Sequence, residues 1–210
     1  MSQARIYQQR FAARKGKTIS CEKCKDPIPK GATYRSFQVG FRSRYTHVRC
    51  MKASCTPRPS ELESSMLAEV YSAQEGAQDE LTALENGDPG EDASDIKSVV
   101  ESCGEGIRGV ADQYREAAEA MGSAGEGSDN EERADTLETA ADELEGWDPD
   151  DDEPDFDGCA NEKHEAMGPV PEDVLERGSA DCDECGTIRS EWWMAQIDAA
   201  REMVDGIELP

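Results

Sequence analysis

The sequence is poor in the residues from which large hydrophobic cores are built. Aromatic residues make up 6% and hydrophobic residues 36% of the 210 residues, whereas about 45–50% of a typical globular domain is apolar. No apolar run approaches the roughly 20 residues of a membrane-spanning helix. The N-terminal MSQARIYQQRF also lacks the continuous apolar stretch of a signal peptide. This composition argues against a large α/β enzyme core, and it predicts a soluble, cytoplasmic protein without a membrane partner.

Positive charge is scarce in the chain as a whole but concentrated at one end. The sequence has 22 Lys and Arg against 47 Asp and Glu, a net charge of −25. Residues 1–59 nevertheless contain 14 basic residues and only two acidic ones, whereas residues 60–210 contain 8 basic and 45 acidic residues. A basic segment joined to an acidic one indicates an anion-binding head, usually for nucleic acid, and a body that is solvated or binds a protein partner.

Cysteine and histidine cluster within the basic segment. Cys21 and Cys24 form a C-x2-C pair, His47 and Cys50 form an H-x2-C pair after 22 intervening residues, and Cys55 follows five positions later. Zinc prefers four tetrahedral sulfur or nitrogen ligands, which two such pairs supply. A segment this short, with few large apolar side chains, needs metal binding to fold. The sequence therefore predicts zinc bound by Cys21, Cys24, His47 and Cys50, with Cys55 as the alternative to His47.

The segment between these pairs alternates like a β-hairpin, with strands near residues 32–37 and 41–45. Cations interleaved with aromatic side chains suit phosphate neutralisation and base stacking, although two or three of the aromatics must also form the core of so small a module. Residues 1–16 form a basic arm. The predicted nucleic-acid-binding residues are Arg35, Arg42, Arg44, Arg49, Lys15 and Lys17, and the accompanying aromatic residues are Tyr34, Phe37, Phe41 and Tyr45.

The run CEKCKDPIPKGATYR, followed by YTHVRC, resembles the zinc finger of poly(ADP-ribose) polymerases and, more broadly, treble-clef-like fingers. The resemblance implies zinc binding by Cys21, Cys24, His47 and Cys50 and contact with DNA. The loop is shorter here and Cys55 has no counterpart, so recognition of DNA breaks is not implied. Over about residues 17–145, the order of zinc motif, basic hairpin and acidic helices also resembles uncharacterised phage-encoded proteins. That resemblance implies a viral origin and a location in the host cytoplasm.

The acidic body has helical periodicity. A capping box at residues 60–63 predicts a helix that continues to about residue 85. Apolar residues at alternating steps of three and four predict helices at about 94–121 and 130–147, joined by a Gly/Ser-rich turn into an antiparallel coiled-coil hairpin. The G-x-G-x-x-G match at residues 104–109 lies inside this pattern without a βαβ unit, so it predicts a kink or a close helix approach instead of nucleotide binding. A last helix is predicted at about 187–207.

The remaining clustered ligands form a second candidate zinc site in the C-terminal part of the chain. It consists of Cys159, His164, Cys182 and Cys185. The spacing of its first half is unusual for zinc, and a flexible acidic segment with an exposed C-x2-C pair is the alternative.

Together these patterns predict a mostly α protein with a small zinc-stabilised β-hairpin module, an acidic antiparallel helical hairpin and a C-terminal helix. The predicted parts are a basic arm (1–16), a zinc-finger module (17–59), an acidic helical domain (60–147), an acidic linker (148–158) and a segment with the second site and last helix (159–210). No catalytic constellation emerges. We therefore expect a non-enzymatic, zinc-binding protein that contacts DNA or RNA through its head and uses its body for self-association or partner binding. The alternatives are an acidic nucleic-acid mimic that inhibits a host enzyme and a structural assembly protein.

Overall fold

The computed structural model describes residues 4–11, 18–40, 45–89, 93–121, 125–149 and 183–210. The fold is mostly helical, with small antiparallel sheets near the N-terminus, which confirms the predicted class. The chain divides into two compact units, Met1–Ser72 and Ala73–Pro210. The first unit thus extends beyond residue 59, and two of these later residues contact the head: the Leu62 carbonyl accepts a hydrogen bond from the Ala4 N–H, and Glu61 pairs with Arg49.

The described part of the first unit contains five short strands. These are β1 (Tyr7–Arg10), β2 (Ile19–Ser20), β3 (Pro27–Ile28), β4 (Thr33–Phe37) and β5 (His47–Arg49). Strands β1, β4 and β5 form an antiparallel sheet in that order, and β2 pairs with β3. The first predicted strand of the hairpin corresponds to β4, which pairs with β5, whereas most of the second predicted strand, at 41–45, lies outside the described residues. Part of the predicted basic arm forms the edge strand β1, since its backbone pairs with β4.

The helix predicted from residue 60 to 85 is interrupted near its start. A short helix α1 (Pro59–Leu62) precedes the longer α2 (Leu67–Glu85). Between them the Glu63 carboxylate accepts hydrogen bonds from the backbone N–H groups of Ser64 and Ser65. This local hydrogen bonding competes with a continuous helical ladder, which accounts for the break.

The second unit is built around a helical hairpin. It pairs α3 (Ser94–Met121) with α4 (Gly125–Glu145). The helices are antiparallel, since Arg108 pairs with Asp142 and Glu145, whereas Arg115, further along α3, pairs with the earlier Glu138. The predicted hairpin is therefore confirmed, with α4 beginning earlier than predicted. The buried seam includes Ile107, Val110, Tyr114, Leu137, Ala141 and Leu144.

A C-terminal helix covers the part of α2 that belongs to the second unit. Helix α5 (Asp183–Asp205) is antiparallel to α2, since the Trp193 indole N–H donates to the Leu84 carbonyl at 3.3 Å and the Gln74 amide donates to the Val204 carbonyl at 3.0 Å. The last helix predicted from the sequence is therefore present, and its residues Trp193, Ile197, Ala200 and Val204 are buried. None of the helices that the structure describes is long and apolar enough to cross a membrane.

Candidate metal centre

Four cysteine side chains converge in the first unit. The Sγ atoms of Cys21, Cys24, Cys50 and Cys55 all lie within 4.8 Å of one another. The Cys24 and Cys50 sulfurs are 3.8 Å apart, which is far beyond a disulfide bond. A tetrahedral zinc–thiolate site with bonds of about 2.3 Å has sulfur–sulfur edges of roughly 3.8 Å. The cluster therefore has the composition and size of a four-thiolate metal site.

The first two cysteines are held by a tight turn between β2 and β3. Lys25, directly after Cys24, has a positive φ of 63°, which folds the chain back on itself. The Lys25 N–H donates to the Cys21 carbonyl at 2.9 Å, and the Cys21 N–H donates to the Asp26 carbonyl at 2.9 Å. The Glu22 N–H donates to the Val48 carbonyl of β5 at 2.9 Å. This last bond brings the turn beside the strand that leads to the second pair of cysteines.

The second pair is positioned by the end of β5 and a 3-10 turn at Ala53–Cys55. The Arg35 guanidinium on β4 donates from Nη1 to the carbonyls of Cys50 and Lys52, at 3.0 and 3.2 Å. Lys52 pairs with Asp26 at 2.5 Å, and this carboxylate raises the pKa of Lys52, with smaller contributions from the charges of Cys24 and Cys50. These contacts connect the two cysteine-bearing segments. The 3-10 turn that follows Lys52 ends at Cys55, whose sulfur joins the cluster.

The backbone favours ionised sulfur at Cys21. Burial alone would raise the pKa of its thiol, but hydrogen bonds from the N–H groups of Cys24, Cys50 and Lys23 outweigh burial and lower this pKa to about 6. Burial and the neighbouring sulfurs, working against the Asp26 N–H, raise the pKa of Cys24 to about 12, and burial raises that of Cys55. Protons on Cys24 and Cys55 limit the repulsion within the cluster, because thiolates so close together disfavour one another's ionisation. A divalent cation would replace those protons and stabilise all four thiolates.

The structure groups Cys55, not His47, with the other three cysteines. The His47 ring instead bonds through Nδ1 to Glu22 Oε2 at 2.9 Å and stacks on Phe37 with a centroid distance of 4.9 Å. His47 contacts Phe37 because the two residues are directly paired across β4 and β5, so their side chains lie on the same face of the sheet. The geometry thus favours the alternative ligand set, Cys21, Cys24, Cys50 and Cys55, over the set containing His47.

Arg49, a predicted nucleic-acid-binding residue, is buried, with 8% of its surface exposed. Its guanidinium pairs with Glu22 at 3.1 Å and with Glu61 of α1, and it lies over the Phe37 ring at 5.8 Å. Burying a cation between two carboxylates makes it a structural crosslink and leaves it unavailable to phosphate. Neither Glu22 nor Glu61 was predicted to have this role. Glu22 could have been identified as one of only two acidic residues among the first 59. Glu61 is one of many acidic residues in the rest of the chain, so nothing in the sequence distinguishes it.

The other predicted site residues have different outcomes. Arg35 is half-buried and engaged with backbone carbonyls beside the cysteines, so its observed role is also structural. Lys15, Lys17, Arg42 and Arg44 lie outside the described residues. Cys159, His164 and Cys182 of the second candidate metal site also lie outside the described residues, and the fourth residue of that site, Cys185, is described only as a position in the first turn of α5.

Four protein thiolates complete the tetrahedral coordination of zinc and leave no position for water or substrate. The arrangement can therefore hold a metal but offers no open site for metal-assisted chemistry. The large apolar side chains buried among the described residues before residue 60 are Phe11, Ile28 and Phe37. So small a core needs an additional crosslink to be stable, and the cysteine cluster is placed to provide it.

Comparison with protein-family models, curated proteins and solved structures gives no match for this chain. The resemblance to poly(ADP-ribose) polymerase fingers and to phage-encoded proteins therefore stays a prediction from the motif.

Proposed function

We propose that this chain is a non-enzymatic zinc-binding protein in which one structural zinc ion, held by Cys21, Cys24, Cys50 and Cys55, folds a basic head that contacts nucleic acid. The observation that carries the proposal is the convergence of four sulfurs within 4.8 Å. Zinc is the metal typical of closed tetrahedral thiolate sites.

The charge of the head supports nucleic acid as its partner. Arg35 and Arg49 serve the fold, but Arg5, Lys23, Lys25 and Lys30 are exposed on the described surface of the first unit. The segment of residues 1–59 carries a net charge of +12 within a chain of net charge −25. Such a cationic surface binds a polyanion mainly by counterion release, so its affinity falls steeply with salt. The acidic helices are the part we assign to self-association or to a protein partner.

The ligand set is tested by zinc analysis of the reduced, purified full chain. Cys55→Ser is expected to lose one equivalent of zinc relative to the wild type, whereas the matched variant His47→Gln is expected to retain it. Comparing each variant with the wild type isolates this site, whatever the C-terminal cysteines bind. Loss of zinc from His47→Gln with retention in Cys55→Ser would contradict the four-cysteine assignment.

The head's role is tested by titrating fluorescently labelled single-stranded and duplex oligonucleotides with the same three proteins over a salt series. The wild type is expected to bind with an affinity that decreases linearly on a log–log plot against salt. Cys55→Ser is expected to lose binding together with zinc. Absence of nucleic-acid binding by the zinc-loaded wild type at low salt would refute this role and would favour the acidic body as the functional part.

A further inference from the structure

Aromatic side chains of the first unit form a continuous series from core to surface. Phe37 is 1% exposed, the His47 ring stacks on it at 4.9 Å, and Tyr45 makes an edge contact with His47, also at 4.9 Å. Tyr45 is 62% exposed. Within this series Phe37 serves the core, whereas Tyr45 presents its ring to solvent.

Tyr45 is anchored as well as exposed. Its hydroxyl donates to Glu22 Oε1 at 3.1 Å, and the other oxygen of that carboxylate contacts His47 and Arg49. Glu22 in turn belongs to the turn that holds Cys21 and Cys24. A ring fixed from both its edge and its hydroxyl loses little conformational freedom when a ligand stacks on it.

Exposed lysines occur in the turn that anchors this ring. Lys23 follows Glu22 directly, and both Lys23 and Lys25 are exposed. Arg49 pairs with Glu22 at 3.1 Å and also with Glu61, so it offsets part of the negative charge of these two carboxylates. An exposed aromatic ring on a basic module is the combination with which proteins bind single-stranded nucleic acid, because unpaired bases stack on the ring while cations neutralise the phosphates.

We propose that Tyr45 and Lys23 form a binding surface for single-stranded nucleic acid, with an unpaired base stacked on the Tyr45 ring. This inference rests on the proposed function and specifies its partner. Duplex bases are already stacked on one another, so they offer no free face to a single exposed ring. The head is therefore expected to bind a single strand more tightly than a duplex of the same length.

Tyr7 provides a matched control within the same unit. It is 56% exposed, but it lies on the opposite face of the sheet: Tyr7 pairs with Ser36 and Ser36 with Val48, whereas His47 pairs with Phe37. Tyr7→Ala thus removes an exposed aromatic ring of the same size from the other face.

The experiment measures binding of zinc-loaded, full-length variants to a labelled single-stranded oligonucleotide, the corresponding duplex, and an abasic strand of the same length. Tyr45→Ala is expected to weaken binding to the normal single strand by about tenfold, the scale of one stacked base. Tyr7→Ala is expected to bind like the wild type. Tyr45→Phe keeps the ring but loses its hydroxyl bond to Glu22, so it is expected to lose less affinity than Tyr45→Ala. The abasic strand keeps its phosphates but has no bases, so Tyr45→Ala and wild type should bind it equally. Lys23→Gln should weaken binding to the normal and the abasic single strand alike. It should also lower the slope of log affinity against log salt by an amount that corresponds to about one phosphate contact.

Equal binding of duplex and single strand by the wild type would overturn the proposal. So would equal losses in Tyr45→Ala and Tyr45→Phe, which would show that the hydroxyl bond to Glu22 matters and the ring does not. Zinc content measured on every variant separates loss of binding from loss of folding. If the wild type binds neither strand, the nucleic-acid role itself fails, whereas binding that is indifferent to Tyr45 defeats only the stacking surface.

Discussion

Replacing Gly104 by alanine is expected to destabilise the helical hairpin, although alanine is the better helix former. Gly104 is buried in α3, in close contact with α4. An added Cβ would lie 2.9 Å from Glu145 Cγ, 3.1 Å from Leu144 Cβ and 3.2 Å from the Ala141 carbonyl oxygen. The Glu145 side chain can rotate away, but the Leu144 Cβ and the Ala141 carbonyl are fixed to the α4 backbone, so the two helices must separate.

The magnitude follows from two opposing contributions. Replacing glycine by alanine inside a helix stabilises the folded state by about 1 kcal/mol, whereas inserting a methyl group into a well-packed contact destabilises it by about 1–3 kcal/mol. The net effect of Gly104→Ala is a decrease of about 1 kcal/mol in the free energy of unfolding. Gly109 is an internal control on the same helix, since nothing lies within 4 Å of its added Cβ. Gly109→Ala should therefore gain up to about 1 kcal/mol.

Thermal and urea unfolding followed by far-UV circular dichroism measures both effects, because most of the helical signal comes from the second unit. The two variants should differ by about 2 kcal/mol, or roughly 8 °C in Tm for a unit of this size. The reasoning is refuted if Gly104→Ala is as stable as the wild type, or if Gly109→Ala is the less stable of the two variants.

Two further predictions concern the first unit. Removal of zinc with a strong chelator at neutral pH should unfold the sheet module and leave the α3–α4 hairpin intact, since the hairpin has its own buried core. Hydrogen exchange should then show lost protection in residues 19–55 and unchanged protection in residues 94–145. Retained protection in both ranges would contradict a metal-dependent head. Arg49→Met should leave Glu22 and Glu61 without their shared cation and destabilise the module by about 1–3 kcal/mol, a range that allows for the partial exposure of both carboxylates. The zinc-loaded variant should therefore lose its metal at a lower chelator concentration than the wild type. An unchanged midpoint of this chelator titration would show that the crosslink adds no stability.

The sequence predicted the helical hairpin accurately because its apolar pattern is local. The steps of three and four along residues 94–121 specify one buried face whatever that face contacts, and α3 has the predicted bounds. The match to G-x-G-x-x-G predicts a kink or a close helix approach, and the contacts of Gly104 agree with the second alternative. The break after Leu62 was missed because the pattern of apolar residues does not reveal that the Glu63 carboxylate bonds to the next two backbone N–H groups.

Ligand choice and the role of the cations required the tertiary structure. Spacing identified Cys21, Cys24 and Cys50, but it favoured His47 over Cys55 because the x2 interval repeats in the H-x2-C pair. In the folded chain the pairing of β5 with β4 places His47 on Phe37, and the 3-10 turn returns Cys55 to the cluster. Arg49 looked like a surface cation because its partner Glu22 is 27 residues away in the chain.

By itself, the sequence therefore determined the division into a basic, cysteine-containing head and an acidic helical body, since charge content, cysteine spacing and helical periodicity are properties of the chain itself. Only the tertiary structure decided which four residues meet in the candidate metal site, which cations are used inside the module, and which aromatic ring is exposed. Those outcomes depend on strand register and on side chains brought together from distant parts of the chain, and neither is encoded in local spacing.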